Sequence, residues 1–420
     1  MNKVKLGDLL EVKRGTTLSS KYYSKTGSRK RLTLGNFNYP NGGFKENMSK
    51  EDIFFIGDVK SEYILKKDDI ITPLTEQVHG LLGETARIPI DDVYVQSGDI
   101  GLVIPNSNKL DNKFAYYLIS SPVVKKQLSA GAQQTKIRHT SPDKIKDCQV
   151  YLPDLSNQKK IGVLLNNIDH KIKINNKIND ELEAMAKTIY DYWFLQFEFP
   201  NEEGKPYKSS GGKMVWNEEL KREIPEGWEV KTLYDIADYI NGLACQKYRP
   251  INKDNILPVI KIVEMHNGIT SNTEYVRDDI PLKNIIDTGD ILFSWSASLE
   301  VTLWKGKKAG LNQHIFKVVP KFYPKYYIYM QLSAYIINFI KIAETRKTTM
   351  GHITIDHLKQ SKILLSNIKL AKTYDIFVKD LFEKILLNNI ENQELTSLRD
   401  FLLPLLMNGQ VGFKGDKAEG

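Results

Sequence analysis

Arginine and lysine interleaved with tyrosine, glutamine, serine and threonine recur at several places in this chain. The segments are "KRGTTLSSKYYSKTGSRKR" at 13–31, "QQTKIRHT" at 133–140, "CQKYRP" at 245–250, "KGKK" at 305–308 and "TRKTTMGH" at 345–352. These residue types suit contact with DNA. Arg and Lys neutralise phosphates or reach guanine O6 and N7, Gln and Asn can bond adenine bidentately, and Ser, Thr and Tyr anchor phosphate oxygens. Any one segment alone reads equally well as a solvated loop. Their recurrence at equivalent places in two halves of the chain favours recognition. The candidate DNA-binding residues are Arg29, Lys30, Arg31, Gln134, Lys136 and Arg138 in the first half, with Lys247, Arg249, Lys307, Lys308, Arg346 and Lys347 in the second.

Catalytic chemistry is nearly missing from the sequence. There is no phosphate-cradling Gly-rich loop of the Walker or dinucleotide type, no H-E-x-x-H, and no Asx/Pro-Pro-aromatic motif of an adenine methyltransferase. One nuclease-like pattern occurs, Pro153-Asp154 followed by Asp169-His170-Lys171. It runs into a predicted heptad helix, where alternating solvent-facing charges are expected. His139, His314 and His352 lack acidic or cysteine partners at ligand spacing, so they read as surface hydrogen-bonding histidines rather than metal ligands. No catalytic, cofactor-binding or metal-binding residues are assigned.

Lysine and arginine outnumber acids 59 to 51 over 420 residues, which suggests an anionic partner without requiring one. Cys148 and Cys245 are the only cysteines. A disulfide framework or a structural zinc site is therefore not expected, and a reducing cytoplasm is the simpler setting. The opening "MNKVKLGDLLEVKRG" lacks the apolar core of a signal peptide, and "YYIYMQLSAYIINFI" at 326–340 is too short and polar to span a bilayer. The expected location is cytoplasmic.

What must position the basic segments is a duplication. Residues 165–193 and 378–406 carry one heptad pattern displaced by 213 positions. The first seam reads Leu165, Ile168, Ile172, Asn175, Asn179, Leu182, Ala186, Ile189 and Trp193. The second reads Val378, Leu381, Ile385, Asn388, Asn392, Leu395, Arg399, Leu402 and Leu406. Apolar residues at alternating spacings of three and four mark helices that bury one stripe against another helix. If a pseudo-two-fold axis relates the halves, the helices pack antiparallel with Asn175 facing Asn392 and Asn179 facing Asn388. Buried asparagines weaken such a seam but set its register. Arg399, at an a position where the first seam has Ala186, is a misfit and is expected to snorkel out. Some 30 or more residues at 1.5 Å each would make spacers of about 45 to 50 Å, with one globule at each end, touching DNA segments about one helical turn apart.

The duplication extends upstream of the helices. "VKLGDLLEVKRG" at 4–15 aligns with "VKTLYDIADYING" at 230–242, "DDIITPL" at 68–74 with "GDILFSW" at 289–295, and "IGLVIP" at 100–105 with "IFKVVP" at 315–320. These read as β-rich globules. Helical segments follow at 112–128 and 324–340, and a Pro/Gly/Ser-rich stretch at 199–213 joins the halves.

With these features together, the chain resembles a specificity subunit of a type I restriction-modification system over nearly its full length. Three stretches carry the likeness: "IPEGWEVKTLYDIADYINGLA" at 224–244, "YLPDLSNQKKIGVLLNNID" at 151–169 and "LRDFLLPLLMNGQV" at 398–411. The second lead-in, "LLSNIKLAKTYDI" at 364–376, lacks the proline and glutamine of the first. The resemblance implies an α+β fold with two pseudo-symmetric β-rich globular target recognition domains separated by a pair of long antiparallel coiled-coil helices. The expected boundaries are 1–152 for the first recognition domain, 153–196 for the central long helix, 197–226 for a linker, 227–365 for the second recognition domain, 366–410 for the second long helix and 411–420 for a tail. It further implies a non-catalytic reader of double-stranded DNA, each domain reading one half of an asymmetric bipartite site. Two methyltransferase subunits would dock on the helices, with restriction subunits as further partners. S-adenosylmethionine, ATP and Mg would belong to those partners. The rivals are a free-standing tandem DNA-binding regulator and a nuclease using Asp154 and Asp169.

Overall fold

Three runs read as strands in each half pair, together with a fourth strand not marked in the sequence, into the same four-stranded antiparallel sheet. In the first, Leu10–Arg14 lies beside Ile100–Pro105, then Ile70–Pro73, then Ala86–Arg87. In the second, Ala237–Asn241, Ile315–Pro320, Ile291–Ser294 and Glu300–Leu303 follow in that order. The β-branched and aromatic content of these runs suits a pleated surface. Ile291–Ser294 is buried at every position, so both of its faces are covered. A two-stranded pair accompanies each sheet, Asn2–Lys5 with Gln149–Leu152 and Glu229–Thr232 with Lys362–Leu365.

The computed structural model describes residues 2–39, 42–48, 51–76, 80–131, 138–251, 254–270, 272–345 and 352–413. They fall into two compact units, Met1–Ile172 with Glu394–Gly420, and Lys173–Gln393. Both divisions fall inside the long helices, Leu155–Tyr190 and Ile368–Met407. At 36 and 40 residues these fit the expected 30 or more. They start on different caps. Asp154 Oδ1 accepts from the Asn157 amide at 2.9 Å in the first, and Asn367 Oδ1 accepts from the Leu370 amide at 2.9 Å in the second. Either side chain satisfies an amide that the first helical turn leaves without a partner. The departures from the first lead-in therefore leave the second helix capped.

Within the second unit the two helices run antiparallel, and the asparagines meet. Asn175 Nδ2 donates to Asn392 Oδ1 at 2.9 Å, and Asn388 Nδ2 donates to Asn179 Oδ1 at 2.9 Å. Asn392 Nδ2 then donates to Asn176 Oδ1 at 2.9 Å, and Asn175 Nδ2 also reaches Glu391 Oε2 at 2.7 Å. All four seam asparagines are buried. Farther along, the Tyr374 hydroxyl donates to the Ala186 carbonyl at 3.1 Å.

The helix ends in the first unit correct one expectation. Arg399 does not snorkel to solvent. Its Nη1 donates to Asp169 Oδ1 at 2.9 Å, its Nε to Asp400 Oδ1 at 2.9 Å, and its side chain is only 17% exposed. Asp169 in turn accepts from the Tyr117 hydroxyl at 2.6 Å. A seam arginine is tolerated because a carboxylate on the facing helix neutralises it. Asp169 is thus part of an ion pair rather than a freely solvated face. Burial first, and then the Asp169 charge, raise the Tyr117 pKa far above that of a free phenol.

Two further differences concern the segments beside the helices. The helical segment at 112–128 breaks into Asn112–Ile119 and Pro122–Gly131, because Pro122 has no N–H to continue the ladder. Its counterpart Lys325–Thr345 has no such break. The stretch joining the halves is packed: Phe197 and Phe199 are buried, and Phe199 stacks on Tyr207 and Trp228 with centroids 4.5 and 5.4 Å away.

Replacing Asn392 by Leu is expected to cost about 1 to 2 kcal/mol, because the buried Asn175 amide loses one of its two acceptors. Urea unfolding of the purified chain measures this, and an unchanged midpoint would show that the asparagine rungs carry no stability. Arg399→Met is expected to cost about 2 to 3 kcal/mol, and much less when Asp169 is already Asn. Strictly additive losses in that double-mutant cycle would mean the pair is not coupled.

Candidate nucleic-acid interface

The basic residues singled out in the sequence divide into those held by the fold and those left available. In the first unit Arg31 is held. Its buried guanidinium donates from Nε to the Asp52 carbonyl and from Nη2 to Asp52 Oδ1, both at 3.1 Å, and lies 3.9 Å from the Tyr23 ring centroid. Arg138 is held as well. Its Nη1 is 3.0 Å from Oε1 of Glu76, whose side chain is 2% exposed and whose Oε2 accepts from the Gly80 and Leu82 amides. Both arginines serve the interior, where a charge needs a partner, so neither is retained as a DNA contact. Lys30 is intermediate in exposure and donates to Glu46 Oε2 at 3.0 Å. Arg29 is half-buried, its carbonyl accepting from the Phe55 amide. Gln134 and Lys136 lie outside the described residues.

In the second unit Lys247, Arg249, Lys307 and Lys308 are all exposed. None has an ion pair among the described residues. Lys247 sits in a helical turn, Cys245–Tyr248, and Arg249 follows it directly. The turn carrying Lys307 and Lys308 is tied down by the Trp304 indole, which donates to the Lys307 carbonyl at 2.8 Å. Exposed cations on anchored turns can neutralise phosphates without first breaking internal pairs. Arg346 and Lys347 lie outside the described residues.

Matched backbone bonds place the variable side chains. Gly15 N donates to the Ile100 carbonyl and Gly242 N to the Ile315 carbonyl, each at 3.1 Å. A Cβ would stand 2.3 Å from the Ser97 carbonyl oxygen at Gly15 and 2.1 Å from that of Asn312 at Gly242, so only glycine fits at either place. Leu74 N donates to Asp99 O at 2.8 Å and Leu74 O accepts from Thr140 N at 2.9 Å. In the second unit Trp295 N donates to His314 O at 3.3 Å and Trp295 O accepts from Ile353 N at 2.9 Å. One frame therefore carries Leu74 and His139 in one unit, and Trp295 and His352 in the other.

Trp295 was not among the candidates read from the sequence. The available signal was its alignment with Leu74 at the end of two otherwise similar strands. The indole is half-buried, its Nε1 donates to Asn241 Oδ1 at 3.2 Å, and the His314 and His352 rings lie 5.5 and 5.4 Å away. His139 is exposed.

The nuclease pattern does not assemble. Asp154 caps a helix, and the Asn157 backbone bond, its largest influence, lowers its pKa. Asp169 lies fifteen residues farther along, on the order of 20 Å up the helix, too far to share a metal ion. Among the described residues no group of three or more His, Cys, Asp or Glu could hold a metal. Nor does any described helix have the length and apolarity to cross a membrane. Cys148 and Cys245 are free and buried, and burial raises the Cys148 thiol to about 11.

Comparison with known proteins agrees with the duplication. The family model for the type I restriction modification DNA specificity domain matches residues 1–184 and again 225–397. The MjaIX specificity subunit of a type I restriction enzyme from Methanocaldococcus jannaschii is 24% identical over 345 residues, covering 78% of this chain and 76% of that protein. The HindI specificity subunit from Haemophilus influenzae is 24% identical over 377 residues, covering 76% of this chain and 82% of that one. The crystal structure of a type I restriction-modification S subunit from M. genitalium superposes with a TM-score of 0.55 at 15% identity, over 97% of this chain and 96% of that one, a likeness of fold. With that domain matched twice along its length, the chain belongs to the family of type I restriction-modification DNA specificity subunits.

Proposed function

We propose that this chain is the sequence reader of a type I restriction-modification complex, each half recognising one part of an asymmetric bipartite DNA site. The carrying observation is one backbone frame, pinned by Gly15 and Gly242, that presents different side chains in the two units. Two copies of a scaffold with unlike surfaces suit two unlike half-sites. A specificity subunit is non-catalytic, so methylation with S-adenosylmethionine, and ATP- and Mg-dependent cleavage, belong to partner subunits. The asparagine rungs set the register of the long helices, and through it the unread spacer between half-sites. Ile174, Ile178 and Met185 on the first helix, with Ile376, Phe377 and Leu387 on the second, are exposed apolar residues that suit docking of two methyltransferase subunits. Lys247, Arg249, Lys307 and Lys308 supply phosphate contacts in the second unit, with Arg29 and Lys30 in the first.

Exchange of residues 1–150 for the corresponding domain of another family member is expected to change only one half of the methylated sequence. Mapping methylated adenines in cells carrying the chimera tests this, and a change in both halves would contradict modular reading. Stable co-purification with two methyltransferase copies is the companion result, whereas a free-standing regulator would purify alone and bind DNA. Replacing both Lys307 and Lys308 by Ala is expected to weaken binding to all sequences alike and to flatten the slope of log K against log salt by about 1 to 2. An unchanged slope would remove these lysines from the interface.

A further inference from the structure

We infer that Trp295, with His314 and His352 beside it, contacts the base pairs of the DNA half-site read by the second unit, and that Asn241 positions the indole. The inference rests on the DNA-reading function proposed above. Trp295 follows the last residue of the buried strand Ile291–Ser294 and opens a loop in which Ala297 adopts a left-handed conformation, φ 57°. Its backbone is fixed on both sides by the bonds to His314 and Ile353, so the side chain leaves a rigid edge rather than a loose tip.

The side-chain chemistry is that of base recognition. An indole carries no charge to place on a phosphate, but offers an apolar face to a thymine methyl or to a base plane. Around it stand groups able to donate to or accept from base edges. His314 Nε2 lies 3.4 Å from Gln313 Nε2, and this imidazole–amide pair is the polar edge that stands beside the indole, whereas His314 Nδ1 faces the interior. His352 is exposed beside the indole.

The first unit sharpens the argument. At the equivalent place in its frame stands Leu74, with 0% exposure, beside Asp99 rather than His314. Packing alone accounts for a leucine there. Packing also holds one side of the indole, 5.9 Å from the Phe316 ring, but leaves the rest half-exposed between two imidazoles with its N–H on the exposed Asn241 amide. The position is conserved in backbone and divergent in chemistry, as a position that distinguishes two half-sites must be.

The test uses the complete complex with its methyltransferase subunits and a panel of duplexes, each with one base-pair change in one half-site. Trp295→Ala and His352→Ala are expected to lose fivefold or more of the discrimination at one or two base pairs of the second half-site, in line with about 1 kcal/mol or more per lost base contact. The first half-site profile should stay unchanged. Trp295→Leu, which installs the residue the first unit carries at this place, keeps apolar packing without the aromatic face, so it is read in the same way should the alanine variant fail to assemble. An assembled variant whose profile is unchanged across the second half-site, or altered equally in both, would overturn the inference. A wild-type complex with no base preference in the second half-site would instead overturn the reading function on which it rests.

Discussion

The paired asparagines in the helix seam are the constraint on which the other contacts depend. A purely apolar heptad seam can slide by seven residues at little cost, because leucine, isoleucine and valine replace one another along it. With Asn175 bonded to Asn392 and Asn179 to Asn388, such a slip would take all four buried amides from their partners and set at least three of them against aliphatic side chains. Each would then lack the partner that burial demands. Within the first unit Arg399 meets Asp169, and within the second the Tyr374 hydroxyl meets the Ala186 carbonyl. Polar groups choose the alignment, and apolar groups then fill it.

Around these helices the two units share a frame and differ in what it carries. The frame rests on features that tolerate little change: a glycine pressed against a carbonyl oxygen, a four-stranded sheet of fixed order, and a two-stranded closure. Side chains at matched positions are free to diverge because the bonds that locate them come from the backbone. Leu74 and Trp295 have the same main-chain partners and unlike surroundings. A non-catalytic reader can change its target in this way without changing its fold.

Much of the architecture is legible in the sequence. The helix seam follows from period, and the pairing of its asparagines from the constant offset of 213 combined with antiparallel symmetry. The strands at 70–73 and 291–294 follow from short β-rich runs ending at equivalent places. The site was less legible. Arg31 and Arg138 look like any other basic residues in a polar segment, but their partners lie 21 and 62 positions away, at Asp52 and Glu76. Trp295 looked like the end of a core strand.

The sequence by itself determined the duplication, the heptad register, the kinds of residue able to meet DNA and the family the chain resembles. These are local or periodic properties, and they survive without knowing what touches what. Tertiary structure alone decided which charges are neutralised inside and which remain for a ligand, that Arg399 stays in the seam with Asp169, and that an indole stands between two histidines. The reason is physical: the cost of a charge and the reach of an aromatic ring depend on neighbours brought together from distant parts of the chain, and only the fold names those neighbours.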